Sequence, residues 1–358
     1  MAGIETMVDL AGQNVVVSYA GIDTEYEALH RRAIVVNRSH RARMRFAGEK
    51  TADVLTGLVT NDVTALLAGQ GQYAAALTAK GKIVADLRIM RLDDSFLTDV
   101  SPRARDGWFG IVRKYVNPRL ATYTDESAHL QSIGVFGAQA RHVVEQMTGI
   151  GHSALGLLLP YAHASVAADG SLMFVMRSPE LGVEGYELVF PSGRFQFVWD
   201  AAVAARATPG GLGVWEVARV EAGRPEWGID MDEGTIAQEA NLEQLDAISF
   251  TKGCYTGQEV VARVHFRGHV NRALRGVRAA GTTVIPSRAA LFDGTGKAVG
   301  DVRSSVLSPR LGAVALAMAR REIENGAQLI ARWSADPAGD SPAGEIAVEV
   351  APLPFATP

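Results

Sequence analysis

The chain contains a single cysteine, Cys254, in 358 residues. One thiol excludes intrachain disulfides, and it excludes any zinc or iron–sulfur centre built from this chain's own cysteines. No apolar run approaches the roughly 20 residues that a membrane span requires; Leu311–Ala319 and Leu155–Pro160 are core-length pieces. Glu5 and Asp9 stand where a secretory signal wants basic residues and then a long apolar stretch. An excess of one charge is also missing, because a formal net charge of −4 sets up no global field for nucleic acid. These absences predict a soluble, cytoplasmic protein that has neither DNA nor membrane as a partner. The oligomeric state is left open, and a monomer is compatible with the sequence. What is present, 47% hydrophobic and 21% charged residues, suits an ordinary globular chain with room for two or three cores.

Charge is unevenly spread along the chain. His30–Arg45 carries Arg31, Arg32, Arg38, Arg41, Arg43 and Arg45 with no acid, and Lys252–Arg278 carries six basic residues against Glu259 alone. Such stretches ordinarily form solvated faces. The alternative is a pocket rim for a small polyanion, since planar guanidinium forks suit carboxylates and phosphates.

Arg41–Phe46 alternates strictly, with Ala42, Met44 and Phe46 on one face and arginines on the other, which predicts a half-buried strand. Lys50–Leu67 reads as helix-rich. A hairpin is expected from Gln72–Thr78 and Ile83–Leu92 around Ala79–Lys82, followed by a strand at Ser95–Val100 and a helix at Asp106–Tyr115. Leu130–Phe136, Leu172–Arg177 and Gly185–Phe190 read as strands, and Ala138–Met147 as a helix stopped by Gly149. Ser192 is placed to cap a helix reaching Ala207, and Leu212–Ala222 is a further helix ending at Gly223. From Asn271 the chain breaks into short apolar runs separated by Gly and Pro, the spacing of a small antiparallel β-domain, with a loop at Ser334–Gly344 before a last strand at Glu345–Val350. The expected class is α+β with a C-terminal β-barrel or sandwich.

Lys252-Gly253-Cys254-Tyr255-Thr256-Gly257-Gln258-Glu259 is the most informative stretch. Its glycines punctuate a tight turn, and Gln258–Val264 has helical spacing. Cys254 then precedes a helix start and lies two residues from Lys252, and both features favour the thiolate. A buried cysteine packing as a small hydrophobe is the alternative. His265 and His269 are four apart, but Arg267-Gly268 between them argues against a helical metal pair, so no metal site is expected. Gly294-Thr295-Gly296 lacks the preceding strand and following helix of a phosphate loop and reads as a hairpin turn.

The run Ile248–Arg263, with Phe266-Arg267-Gly268 and the upstream Gln238-Glu239-Ala240-Asn241-Leu242, resembles the signature of YgfZ-type folate-binding proteins of iron–sulfur cluster assembly and repair. These are relatives of the glycine-cleavage T protein, a tetrahydrofolate-dependent aminomethyltransferase, which lacks a cysteine at this point. Leu58–Val63, Lys80–Leu87, Gly185-Tyr186-Glu187 and Arg219–Gly223 resemble segments of the wider superfamily, so the likeness runs from about Ala33 to Val350. It implies a three-domain cloverleaf around a folate channel: an N-terminal extension (1–25), two interleaved α+β folate-binding domains (26–270) and a C-terminal antiparallel β-barrel (271–358).

The resemblance also implies site residues. Glu187, or else Glu184, would accept the N–H pair of a pterin edge, and Arg219 would fork the glutamate carboxylates. Tyr73 or Tyr255 would stack on a ring. Cys254 would be the reactive thiol beside Lys252. Asp86 would be the acid/base, although the neighbouring position, acidic in T proteins, is Ala85 here, which counts against aminomethyl transfer. The leading expectation is a tetrahydrofolate-binding protein serving iron–sulfur client proteins. The alternatives are an aminomethyltransferase and a non-enzymatic scaffold.

Overall fold

The computed structural model describes residues 6–10, 12–168, 171–334 and 344–355. Three β-structures carry the chain. A five-stranded antiparallel sheet has the order Gly71–Leu77, Ile83–Arg91, Ser95–Val100, Ala42–Ala47, Thr122–Asp125. A six-stranded sheet has the order His163–Ala168, Ser171–Arg177, Gly185–Pro191, Leu130–Phe136, Ile34–Asn37, Thr208–Gly210, and only its last pair is parallel. The third is a closed six-stranded antiparallel barrel drawn from Arg272 to Ala351. The first sheet is an insertion in the second: the chain leaves after Ile34–Asn37, builds all five strands between residues 42 and 125, and returns at Leu130.

Period-two alternation decides what lies between the sheets. Ala42, Met44, Phe46, Ala85, Leu87 and Ile89 face the Arg105–Tyr115 helix and its buried Trp108. The opposite face carries Tyr73, Ala75 and Leu77, which meet Phe174, Met176 and Val189 of the second sheet. Arg41, Arg43, Asp86, Arg88 and Asp99 alternate with the residues of the first face and so point into the same inter-sheet space. The helices Ala140–Thr148 and Phe195–Ala204 cover the outer face of the second sheet. The Leu212–Glu221 helix joins it to the barrel, packing Val220 with Leu274, Val314 and Leu316. The N-terminal hairpin of Thr6–Leu10 and Gln13–Ser18 is tied down by buried Glu25, which accepts from Ser18 Oγ (2.8 Å) and from the Gly211 amide (2.9 Å).

Some local expectations change. The two arginines Arg41 and Arg43 are buried rather than solvated, because a second sheet covers their face. The helix after Lys50 spans only Thr51–Leu58; beyond it the Thr56 hydroxyl and the Asp62 carboxylate take the amides of Val63 and Thr64, which turns the chain. Ser192 does not cap the next helix, since Gly193 at φ +87° inserts a turn and the helix starts at Phe195. Of the loop at Ser334–Gly344, residues 335–343 lie outside the described residues.

Candidate functional site

Register puts a row of charge across the first sheet. Tyr73 lies opposite Arg88, Arg88 opposite Asp99, and Asp99 opposite Arg43. Glu187 enters this row from the second sheet. Its carboxylate accepts from Arg88 Nη1 (2.7 Å) and Nη2 (3.1 Å), from Ser132 Oγ (3.0 Å) and from Arg43 Nη2 (3.3 Å). Asp99 accepts from Arg88 Nη2 at 2.7 Å and from Arg41 Nε. Arg38 stacks over Trp215, 3.6 Å from its ring centroid, and reaches Glu180 Oε2 at 3.5 Å. Burial opposes charge on Glu187, but Arg88 outweighs it and holds the carboxyl at about 2. Asp99 is likewise held far below the usual carboxylate range by Arg41, Arg88 and Arg43, against its burial.

One cleft opens beside this network, with a free volume of about 30 Å³, room for about two waters. Its wall includes Arg41, Tyr73, Asp86, Glu180, Trp215 and Arg224. Asp86 is its distinctive member. Oδ2 accepts from Tyr73 O–H at 2.8 Å, whereas Oδ1 is buried without a donor. Burial, and next the charge of Glu226, raise this carboxyl to about 6, opposed by the Tyr73 hydrogen bond and Arg41. Tyr73 stacks on Tyr161 (6.0 Å between centroids, 18° apart), and Arg224 lies 4.9 Å from its ring centroid. Among the described residues the contacts of Glu180 are long, 3.4 Å from Arg88 and 3.5 Å from Arg38. Among the described residues Arg224 spends one hydrogen bond, on Tyr161 O–H (2.6 Å).

Of the residues named from the sequence, Asp86 and Tyr73 line this cleft with their polar groups toward one another. Glu187 does not line it: it is fully buried, and its carboxylate is taken up by Arg88, Arg43 and Ser132. Glu184 points elsewhere, bound by Arg141, Arg177 and the Tyr186 hydroxyl. Arg219 is at the wall, but all five of its N–H donors are spent, on Glu216, Asp230, Ser304 and the Arg224 carbonyl. It joins the Leu212–Glu221 helix to the barrel and cannot fork a ligand carboxylate. Tyr255 is buried in the inter-sheet core with the Lys252 ammonium 4.4 Å from its ring centroid.

Cys254 and Lys252 part company. Cys254 is exposed, four residues before the first residue of the Gln258–Arg267 helix. Lys252 Nζ turns inward and donates to the carbonyls of Val59 (2.6 Å), Asn61 (3.2 Å) and Thr56, all at the end of the Thr51–Leu58 helix. All three of its donors are used there, and burial lowers the ammonium to about 8. Lys252 is therefore a helix cap, not a partner of the thiol. The turn behind Cys254 needs glycine: Gly257 has φ +86°, and a Cβ on it would lie 2.7 Å from the Thr78 carbonyl and 3.2 Å from Gly81 Cα. Two of the segments that carried the resemblance thus abut.

Sequence reasoning missed Glu180, Arg224 and Trp215. The only signal was the acid-free arginine run, which holds Arg38 and Arg41. Among the described residues no three His, Cys, Asp or Glu side chains are grouped to hold a metal ion, and no helix is long and apolar enough to cross a membrane.

Comparison with known proteins agrees with this architecture. The family model GCVT N-terminal domain matches residues 5–251, so the family likeness begins ahead of the motifs and takes in the N-terminal hairpin. An aminomethyltransferase of Rubrobacter xylanophilus is 29% identical over 350 residues, covering 98% of this chain and 90% of the relative. One of Thermosynechococcus vestitus is 30% identical over 302 residues, covering 83% and 80%. The structure of the glycine cleavage system aminomethyltransferase T from Bartonella henselae superposes with a TM-score of 0.87 at 22% identity, over 99% of this chain and 95% of that one. The fold is that of a T protein, and the chain belongs to the GCVT N-terminal domain family, together with these aminomethyltransferases.

Proposed function

We propose that the protein carries out tetrahydrofolate-dependent one-carbon transfer of the aminomethyltransferase type, with Asp86 as the acid/base. The observation that carries this reading is Asp86 itself: a carboxylate at the wall of the inter-sheet cleft, with Oδ1 buried and unpaired and its pKa raised to about 6. A carboxylate poised near neutrality is what proton transfer at a nitrogen needs. Proteins named aminomethyltransferase cover nearly the whole chain, and they support this class over the iron–sulfur role expected from the octapeptide.

Tetrahydrofolate, the one-carbon carrier of this family, would supply the nitrogens that accept the one-carbon unit. The cleft suits it chemically, because Asp86 Oδ1 lacks a donor and Arg224 has donors to spare. Glu180 takes over the pterin-edge role expected of Glu187, since its contacts are long enough to yield to a ligand. Arg224 takes over the carboxylate fork expected of Arg219. The cleft is narrow as it stands, and Arg224, held by one hydrogen bond to Tyr161 and its place over the Tyr73 ring, is the wall residue expected to swing out on binding. Tyr73 O–H fixes the Asp86 carboxyl so that Oδ1 is the oxygen that takes the proton.

Titrating tetrahydrofolate against tryptophan fluorescence is expected to give saturable binding, weakened more than about tenfold by Arg224→Gln. Purified protein given a lipoyl carrier bearing an aminomethyl group should form methylene-tetrahydrofolate and release ammonia. Binding without turnover would remove the transferase and leave the scaffold.

One observation favours a second reading. Cys254 is exposed in an octapeptide resembling that of YgfZ-type proteins, while Lys252, two residues before it, is consumed by structure. Under this reading iron–sulfur client proteins are the partners, and Cys254→Ser is expected to lower iron–sulfur enzyme activity in cells while leaving tetrahydrofolate binding unchanged. Unimpaired enzymes in the Cys254→Ser strain would end it.

A further inference from the structure

Two further clefts lie away from the inter-sheet site, where the 238–245 segment meets the barrel. One, of about 280 Å³, has a mainly apolar wall that includes Leu245, Leu274, Pro352 and Leu353. The other, of about 330 Å³, has a wall that includes Gln238, Gln244, His265 and His269. Asn241, Gln244 and Arg275 line both, so the two meet at Arg275. Each wall has a built element. Asn241, in the left-handed region at φ 59°, donates through Nδ2 to the Leu274 carbonyl at 3.1 Å and locks the segment to the first barrel strand. Gln238 sits on the short Ala237–Ala240 turn, and its Nε2 donates to the Val261 carbonyl at 2.9 Å.

Two buried polar atoms at this seam have no partner. Arg275 Nε is buried without an acceptor, and no hydrogen bond or ion pair engages its guanidinium among the described residues. Gln238 is 7% exposed, and its Oε1 is buried without a donor. The bond to Val261 fixes which end of that amide is oxygen, so the orphan is an acceptor. Arg275 Nε and Gln238 Oε1, unmet on the walls of adjoining clefts, each carry a desolvation cost that a ligand would relieve.

We infer that this seam binds an α-carboxylate that carries an apolar side chain and a neighbouring N–H: a free hydrophobic amino acid or the C-terminal residue of a peptide. The carboxylate meets Arg275, the side chain fills the apolar cleft, and the N–H donates to Gln238 Oε1. Each part of that chemistry answers one feature of the seam, and none depends on the inter-sheet cleft.

The test uses the full-length protein and calorimetric titration with N-acetyl-leucine, free leucine and Gly-Gly-Leu. At least one is expected to bind with a Kd below about 1 mM. Arg275→Gln should weaken it more than about tenfold, and Gln238→Met several-fold. Arg275 has no native partner to lose among the described residues, so its variant should fold normally, and an unchanged far-UV circular dichroism spectrum in both variants verifies this. Tighter binding of free leucine than of the tripeptide identifies a metabolite site, and the reverse order a peptide-end site. The inference is overturned if none of the three saturates, if N-acetyl-leucinamide binds as well as the acid, or if Arg275→Gln leaves the affinity unchanged.

Discussion

Asp86→Asn is expected to reduce one-carbon transfer by about 100- to 10,000-fold while making the protein more stable above pH 6. The two effects have one cause. Burial and Glu226 disfavour the charged carboxylate and raise its pKa to about 6 from 3.8. The native state therefore holds this proton more tightly than the unfolded chain. Stability from this group is complete below about pH 4 and is lost as pH rises through 6, on the order of 3 kcal/mol by neutral pH. Asparagine keeps the shape and cannot ionise. The variant's melting temperature should exceed the wild type's at pH 8, and the difference should vanish at pH 4.

The rate carries the complementary signature. As a base, Asp86 works only when ionised, so wild-type turnover should climb through pH 6 to a plateau. The residual rate of Asp86→Asn should lack that limb. Equal activity of the two proteins at pH 8 would remove Asp86 from the chemistry. A stability gain that persisted undiminished at pH 4 would show that the charge is not the source of the strain. Function placed on a costly charge is a recurrent pattern in active sites.

The elements were legible where local chemistry decides them. The Ser95–Val100 and Leu130–Phe136 strands lie where their apolar patterns predict, and Gly149 ends its helix in the left-handed conformation. The pattern at Arg41–Phe46 predicted the strand correctly but not the fate of its polar face. Alternation separates two faces without saying whether the second meets water or another sheet. That sheet arrives from residues 130–191, distant in sequence, and it turns Arg41 and Arg43 from a surface into a buried lattice. The same limit governs the site residues. Asp86 and Tyr73 sit on paired strands of one hairpin, and their proximity follows from its register. Glu187 and Arg219 sit in segments that match the family pattern, yet which carboxylate or guanidinium stays free depends on partners contributed by other segments. Glu180 and Arg224 stand in turns, where no periodicity marks a residue as facing a cleft.

Glu187→Gln and Glu180→Gln should therefore have opposite consequences. Glu187 is surrounded by Arg38, Arg43 and Arg88, and Gln in its place leaves these arginines with one carboxylate fewer in a region closed to water. Breaking one side of a buried ion network typically costs about 3–5 kcal/mol. Denaturant unfolding should show a loss of that size at pH 7. The native pKa of Glu187 is depressed to about 2 from 4.5, so its contribution is present above pH 4.5 and is lost as pH falls through 2. The gap between wild type and variant should close over that interval. Removing a surplus cation as well, in Glu187→Gln combined with Arg43→Met, should recover part of the loss and give a favourable coupling between the two positions. Glu180 has long contacts at the edge of the cleft, so Glu180→Gln should cost clearly less stability than Glu187→Gln yet weaken tetrahydrofolate more than about tenfold. Should Glu187→Gln instead fold with full stability and lose folate affinity alone, the arginines must release Glu187 when the ligand enters, and the pterin-reading role returns to it.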